Sequence, residues 1–78
     1  MNVSQIAKAL EAADFEVTTF ITEDIDLEDH SVGINNTNFH VSVHPDEVYF
    51  QLVERSGADF IFYGNLTIEE IISTVRAA

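Results

Sequence analysis

The sequence predicts an α+β fold, a two-layer sandwich in which an N-terminal and a C-terminal helix cover one face of an antiparallel meander of four or five strands. Apolar side chains recur every three to four residues near both ends of the chain, which is the helical period. Between these ends apolar and polar residues alternate, as in half-buried strands. Its 78 residues, 46% of them hydrophobic, suffice for a single compact acidic domain, residues 1–78.

Each terminal helix has an apolar stripe and a capping signal. The first is expected over residues 4–13, with Asn2 or Ser4 as its N-cap. The second follows Thr67, which forms a capping-box pattern with Glu70, and Arg76 lies near its negative C-terminal end. The two stripes consist of Val3, Ile6, Ala7, Leu10 and Ala13, and of Ile68, Ile71, Ile72 and Val75.

The alternating stretches predict the strands and the faces of their side chains. Residues 15–22, 39–43, 48–52 and 59–63 alternate, residues 31–34 form a short apolar segment, and Pro45-Asp46 and residues 55–58 are expected to be turns. The side chains expected to face the core are Phe15, Phe39, Phe50, Phe60 and Phe62. The side chains expected on the second face are Phe20, Tyr49 and Tyr63, with Val53 and Ile61. Such a partly apolar face is a candidate protein interface, including for a homodimer.

Charge is the unusual property of the chain. Fourteen Asp and Glu against three Lys and Arg give a net charge of −11. A field of this sign repels nucleic acid and anionic lipid and attracts basic proteins, so we expect no direct nucleic-acid binding and no membrane binding. With no cysteine, no leader pattern and no long apolar run, the expected location is cytoplasmic, in the host cell if the chain is phage-encoded.

The acidic residues concentrate in one stretch, where five of the eight residues 23–30 are carboxylates. If the preceding alternation continues, Ile25 and Leu27 face inward and the carboxylates project outward from an extended ribbon. The carboxylates expected to bind a partner are Glu23, Asp24, Asp26, Glu28 and Asp29, with Glu16, Asp46 and Glu47.

The same residues do not fit a metal site or a catalytic site. A calcium loop starting at Asp24 requires Gly at its sixth position and Glu at its twelfth, where this chain has Asp29 and Asn35. His40 and His44 lie in a strand pattern, which places them about 13 Å apart. No nucleophile motif or phosphate-binding loop is present. We therefore expect no enzymatic activity, no cofactor and no bound metal.

The leading hypothesis is a non-enzymatic acidic module that occludes a basic, nucleic-acid-binding surface of a partner protein. Carboxylates at alternate strand positions recur every 6 to 7 Å or so and approximate a row of phosphates. In size and charge the chain is similar in character to phage-encoded inhibitors of restriction, repair or CRISPR enzymes, some of which are DNA mimics. The alternative is a chaperone- or immunity-like protein that binds a cognate chain through its apolar sheet face. A third hypothesis is a cation-binding or structural subunit.

The three histidines lead to an expectation for pH. In so negative a field we expect them to protonate readily, so that stability holds or improves on mild acidification.

Overall fold

The computed structural model describes residues 2–21, 30–43 and 50–78. Two helices, α1 (Val3–Ala12) and α2 (Ile68–Ala77), enclose the strand region in sequence. The strands are β1 (Val17–Ile21), β2 (His30–Ile34), β3 (Phe39–Val43), β4 (Phe50–Ser56) and β5 (Asp59–Phe62). They form one antiparallel sheet in the order β1-β2-β3-β4-β5. This architecture confirms the predicted α+β fold, with the segment around residues 31–34 as a full strand.

Both helices begin with a capping box. The Asn2 side chain accepts the Gln5 N–H and the Gln5 side chain accepts the Asn2 N–H, both at 2.9 Å. In α2 the Thr67 hydroxyl accepts the Glu70 N–H at 3.2 Å and the Glu70 carboxylate accepts the Thr67 N–H at 3.1 Å, which confirms the predicted box. These contacts satisfy N–H groups that have no partner within the helix.

α1 ends in a tight reversal. Asp14 adopts a left-handed conformation with φ 69°, and the Phe15 N–H donates to the Leu10 carbonyl at 3.1 Å. A bond of this type across the last turn is the Schellman arrangement, which turns the chain from the helix toward the sheet. Glycine usually occupies the left-handed position, and aspartate is one of the few other residues that tolerates it.

The hydrophobic core lies between the two helices and one face of the sheet, called here the helix face. Phe15, Val17 and Phe50 are partly buried against this core, and Phe39 is buried, as the alternation predicts. The buried members of the core are Val3, Ile6, Ala7, Leu10, Val32, Ile34, Phe39, Val41, Val43, Leu52, Ile71 and Val75. Because both helices contribute to one cluster, they cover the same side of the sheet, and no helix or strand of the described ranges covers the other side, called here the open face.

The side-chain directions predicted for β5 are wrong. Residues directly opposite each other in an antiparallel pair point to the same face. Phe62 lies opposite Val53 and Phe60 opposite Arg55, so both phenylalanines point to the open face, where they are 63% and 53% exposed. The cause is the two-residue turn at Gly57 and Ala58, which pairs even-numbered residues of β5 with odd-numbered residues of β4.

Ile61 and Tyr63 were expected on the second face and lie on the helix face instead. Ile61 is opposite Glu54, which is opposite the buried Phe39. The Tyr63 ring is 6.0 Å from the Phe39 ring, centroid to centroid. Ile61 is nevertheless 45% exposed, so the helices do not cover β5.

In the described ranges neither helix is long and apolar enough to cross a membrane.

Arg76 links the C-terminal end of α2 to the connection between α1 and β1. Its guanidinium Nη2 donates to the carbonyl of Ala13, just beyond α1, at 2.9 Å. The guanidinium also lies over the Phe15 ring, 5.8 Å from the centroid. A single side chain near the C-terminus of α2 thus holds the connection between α1 and β1 by a charge-assisted hydrogen bond and a cation–π contact.

Candidate protein-interaction surfaces

Two chain segments carry half of the carboxylates, residues 22–29 and 44–49, called here the acidic segments. Their seven acidic residues, which lie outside the described residues, are Glu23, Asp24, Asp26, Glu28, Asp29, Asp46 and Glu47. The strand residues that flank the segments are described. Ile21 pairs with His30, His30 with Val43, and Val43 with Phe50, so the four flanking residues form one row across the sheet.

This row means that the chain leaves and re-enters the sheet at the same end for both acidic segments. Adjacent strands are about 4.8 Å apart, so the row from β1 to β4 is about 14 Å wide. Seven carboxylates, and no Lys or Arg, belong to the 14 residues attached to that end. The topology therefore joins two stretches that are separate in sequence at one end of the sheet.

Glu16 is not at this end. It precedes β1, and its carbonyl accepts the N–H of Asn35 from the turn between β2 and β3 at 2.8 Å. Five residue steps, about 17 Å, separate it from Ile21, the last described residue before the first acidic segment. The structure thus does not place Glu16 with the end of the sheet from which the acidic segments leave. The ribbon predicted for residues 23–30, with Ile25 and Leu27 inward, lies outside the described residues.

The open face has exposed aromatic side chains at both of its edges and mostly small or polar side chains, apart from Val53, between them. Phe20 on β1 is 56% exposed, and its Cε2 atom lies 3.2 Å from the point where a Cβ at Gly33 would stand. The ring therefore covers the neighbouring strand at the one position that has no side chain. At the opposite edge are Phe60 and Phe62, and Ser31 and Ser42 lie in the row of Phe20.

Val53 is buried on the open face. It is only 2% exposed, although it does not belong to the core cluster on the helix side. Its two cross-strand neighbours are His40 and Phe62. Burial lowers the pKa of His40 from its usual value, because the charged imidazolium loses hydration there. The expectation that the histidines protonate readily is therefore wrong for His40, because its burial disfavours the charged imidazolium.

Tyr63 takes part in a polar contact rather than in an apolar surface. Its hydroxyl donates to Glu54 Oε1 at 2.7 Å. That hydrogen bond, with smaller effects of burial and of the negative charge of Glu54, raises the pKa of Tyr63 above its usual value. Tyr63, which is on the helix face, lies on the other side of the sheet from Phe20. Tyr49, the third residue of the predicted apolar interface, lies outside the described residues.

Polar side chains that line one surface cleft make hydrogen bonds within the fold. A cleft of about 300 Å³ lies between the turn after β2 and the end of α2, and it is lined by Asn36, Thr37, Asn38, Phe39, Glu54, Val75 and Ala78. Thr37 donates to the Ile34 carbonyl at 2.7 Å and accepts the Phe39 N–H at 3.1 Å, while Glu54 accepts from Tyr63. Within the described ranges no three His, Asp or Glu side chains converge as metal ligands.

Comparison with protein-family models, with curated proteins and with solved structures found no match to this chain. Two features of these surfaces were not predicted from the sequence: Phe60 and Phe62 lie on the open face, and Gly33 lies beneath the Phe20 ring. The length of the two-residue turn at Gly57 could have predicted the faces of Phe60 and Phe62, because loop length fixes the register of a hairpin. Nothing local in the sequence indicates the second, since it depends on a neighbouring strand.

Proposed function

We propose that this chain is a non-enzymatic protein-binding module whose acidic segments dock on a basic, nucleic-acid-binding surface of a partner protein and occlude it. The observation that supports this proposal is the row formed by Ile21, His30, Val43 and Phe50, to which both acidic segments are attached. Because these strand ends are neighbours, seven carboxylates belong to segments anchored within about 14 Å along one end of the sheet.

The charge density supports a nucleic-acid mimic. Duplex DNA carries one phosphate charge per about 1.7 Å of its axis when both strands are counted. Seven carboxylates attached along a row of about 14 Å give one charge per about 2 Å of row, which is similar. We therefore propose that a basic groove that accepts a duplex also accepts this end of the sheet. Inhibition would follow from occupation of the groove, and association would be fast and sensitive to salt.

Charge-matched variants test this proposal. The variant Asp24→Asn/Asp26→Asn/Glu28→Gln neutralises three carboxylates of the first acidic segment. The control Glu11→Gln/Asp14→Asn/Glu69→Gln neutralises three exposed carboxylates of the described chain that flank or lie in the helices. Each raises the net charge from −11 by three, so the pair differs in the location of the change and not in its size.

The assay is capture of nucleic-acid-binding proteins on the immobilised chain, followed by elution with duplex DNA. We expect wild-type protein and control to retain partners that duplex DNA displaces, and the acidic-segment variant to lose them. Binding should weaken between about 0.05 and 0.5 M salt, since the Debye length falls severalfold over this range. Equal loss in both variants, or captured partners that duplex DNA does not displace, would contradict mimicry by the acidic segments.

The open face supports a second candidate function, the chaperone- or immunity-like binding of a cognate chain. Phe20, Phe60 and Phe62 are each more than half exposed on a sheet face that neither α1 nor α2 covers. Exposed aromatic side chains of this kind are typical of protein interfaces. In that case Phe20→Ser or Phe62→Ser should abolish capture of the partner while the acidic-segment variant retains it. The reverse result would favour the acidic segments.

A further inference from the structure

The outer edge of β5 combines apolar side chains on both faces with backbone groups that have no neighbouring strand among the described residues. Phe60, Ile61 and Phe62 are 53%, 45% and 63% exposed, and they point alternately to the open face and the helix face. β5 is the last strand of the sheet. An apolar edge strand of this type is where strands from other chains pair.

The hydrogen-bond pattern of the hairpin shows which backbone groups point outward. The Tyr63 N–H donates to the Leu52 carbonyl at 3.0 Å, one step beyond the pair Val53 and Phe62. In an antiparallel ladder, hydrogen-bonded and non-hydrogen-bonded pairs alternate. Tyr63, Ile61 and Asp59 thus direct their N–H and C=O groups toward β4, whereas Phe60 and Phe62 direct theirs away from the sheet.

We infer that the β5 edge pairs with β5 of a second copy of this chain, forming a two-fold symmetric dimer with a continuous ten-stranded sheet. In this arrangement Phe60 of each copy lies opposite Phe62 of the other, and Ile61 lies opposite its own symmetry mate. All outward N–H and C=O groups of Phe60 and Phe62 then find partners, which makes four hydrogen bonds between the copies. Four phenylalanines meet on the open face and two isoleucines on the helix face.

The arrangement of faces in the sheet limits the registers in which the two β5 strands can pair. The two copies must present the same face on the same side of the shared sheet, so each residue must oppose one of its own parity. Of the registers that satisfy this condition, the one centred on Ile61 pairs both outward-facing residues of both copies. A register centred on Phe60 would leave Phe62 beyond β5 of the second copy, opposite the turn residue Ala58.

The distribution of charge makes a second copy acceptable despite the net charge of −11. β5 itself carries one charged residue, Asp59, and the opposite strand places Arg55 beside Phe60. The first acidic segment is attached to β1 and β2, three to four strand spacings or about 14 to 19 Å from β5, and the second is attached to β3 and β4, one to two spacings or about 5 to 10 Å from β5. Since a two-fold axis through the β5 edge points the two acidic ends in opposite directions, their separation is several times the Debye length of about 8 Å at physiological salt.

Hydrogen exchange measured by NMR tests the inference on the wild-type chain. The amides of Phe60 and Phe62 should exchange rapidly at low micromolar concentration and become protected at near-millimolar concentration, as sedimentation shows the mass doubling. The amide of Ile61 faces β4 and serves as the internal control, protected at both concentrations. A monomer at near-millimolar concentration, with both amides exposed, would overturn the inference and leave the edge for a strand of another protein.

Two variants distinguish edge pairing from general adhesion of apolar surface. Phe62→Lys and Phe20→Lys each replace a phenylalanine of the open face that is more than half exposed, at opposite edges of the sheet. Phe62→Lys should weaken dimerisation at least about tenfold, the effect of losing burial of a large apolar side chain and adding a buried charge. Phe20→Lys should leave it unchanged, and equal weakening by both variants would indicate face-to-face association instead.

Dimerisation through β5 can be tested independently of the proposed function. Added salt should strengthen the dimer, because it screens repulsion between two acidic chains, whereas it should weaken binding to a basic partner. The acidic-segment variant should dimerise at least as well as the wild type. Failure of one proposal therefore does not decide the other.

Discussion

Replacing Arg76 by methionine should destabilise the domain by about 2 kcal/mol. The side chain makes a hydrogen bond to the Ala13 carbonyl at 2.9 Å and lies 5.8 Å from the Phe15 ring centroid. Because Arg76 is exposed, the charged hydrogen bond contributes about 1 kcal/mol, below the range for buried ones. The cation–π contact adds about 0.5 kcal/mol and the position near the C-terminus of α2 about 0.5 kcal/mol.

This loss is large for so small a domain. Total stabilities run from roughly 5 to 15 kcal/mol, and each kcal/mol shifts the melting temperature by about 4 to 8 °C at this size. Urea denaturation of wild type and Arg76→Met should therefore show a clear change in midpoint at constant slope. Methionine retains an unbranched apolar stem over Phe15, so the change reports mainly the guanidinium contacts.

The control is Lys8→Met, which removes the same charge from an exposed position on α1. It should change the free energy of unfolding by no more than about 0.5 kcal/mol, the usual range for surface substitutions. A double-mutant cycle with Phe15→Leu should give a coupling energy of about 0.5 kcal/mol for the cation–π contact. If Arg76→Met and Lys8→Met were equally destabilising, the loss would come from net charge and the assigned contacts would be unimportant.

Three further predictions concern the cap of α2 and the two shifted pKa values. Thr67→Ala should lower the free energy of unfolding by about 1 kcal/mol, whereas Thr67→Ser, which keeps the hydroxyl, should lose much less. Burial lowers the folded-state pKa of His40, so the unfolded chain takes up this proton first as pH falls through about 6.5. Wild type should therefore lose more stability than His40→Gln between about pH 7.5 and pH 5.5, and parallel pH profiles would refute this assignment. In a Tyr49→Phe background, ultraviolet titration should find the pKa of Tyr63 above its usual value, and Glu54→Gln should lower it because the carboxylate acceptor and its charge are removed.

Local pattern sufficed for most of the architecture. The helical stripes, the capping box of Thr67 and Glu70, and the alternation in β1, β3 and β4 each depend on neighbours within a few residues, and the structure confirms them. β2 was the least visible strand, because it is short and Gly33 leaves one of its outward positions without a side chain. Its place between β1 and β3 follows from pairing on both sides, including the Phe20 ring that covers the glycine.

The side chains that form the candidate surfaces were harder to predict from the sequence than the secondary structure. Counting apolar alternation in β5 assigned Phe60 and Phe62 to the core, since hydrophobic side chains are usually buried. The residues on either side of Phe60 share one face, and Asp59 favours an exposed face whereas Ile61 favours a buried one. The pattern of β5 alone therefore could not show which of its faces points to the core. The hairpin register decided it, because pairing with β4 fixes which face each residue occupies.

The sequence by itself determined the class of fold, the net charge of −11 and the local concentration of carboxylates, all of which are properties of composition and short-range order. Only the tertiary structure decided which ends and faces meet. It brought the strand ends flanking both acidic segments into one row, moved Glu16 away from that row, and left β5 as an apolar edge. The physical reason is that hydrogen-bond register couples residues far apart in sequence, and a shift of one residue exchanges the two faces of a strand.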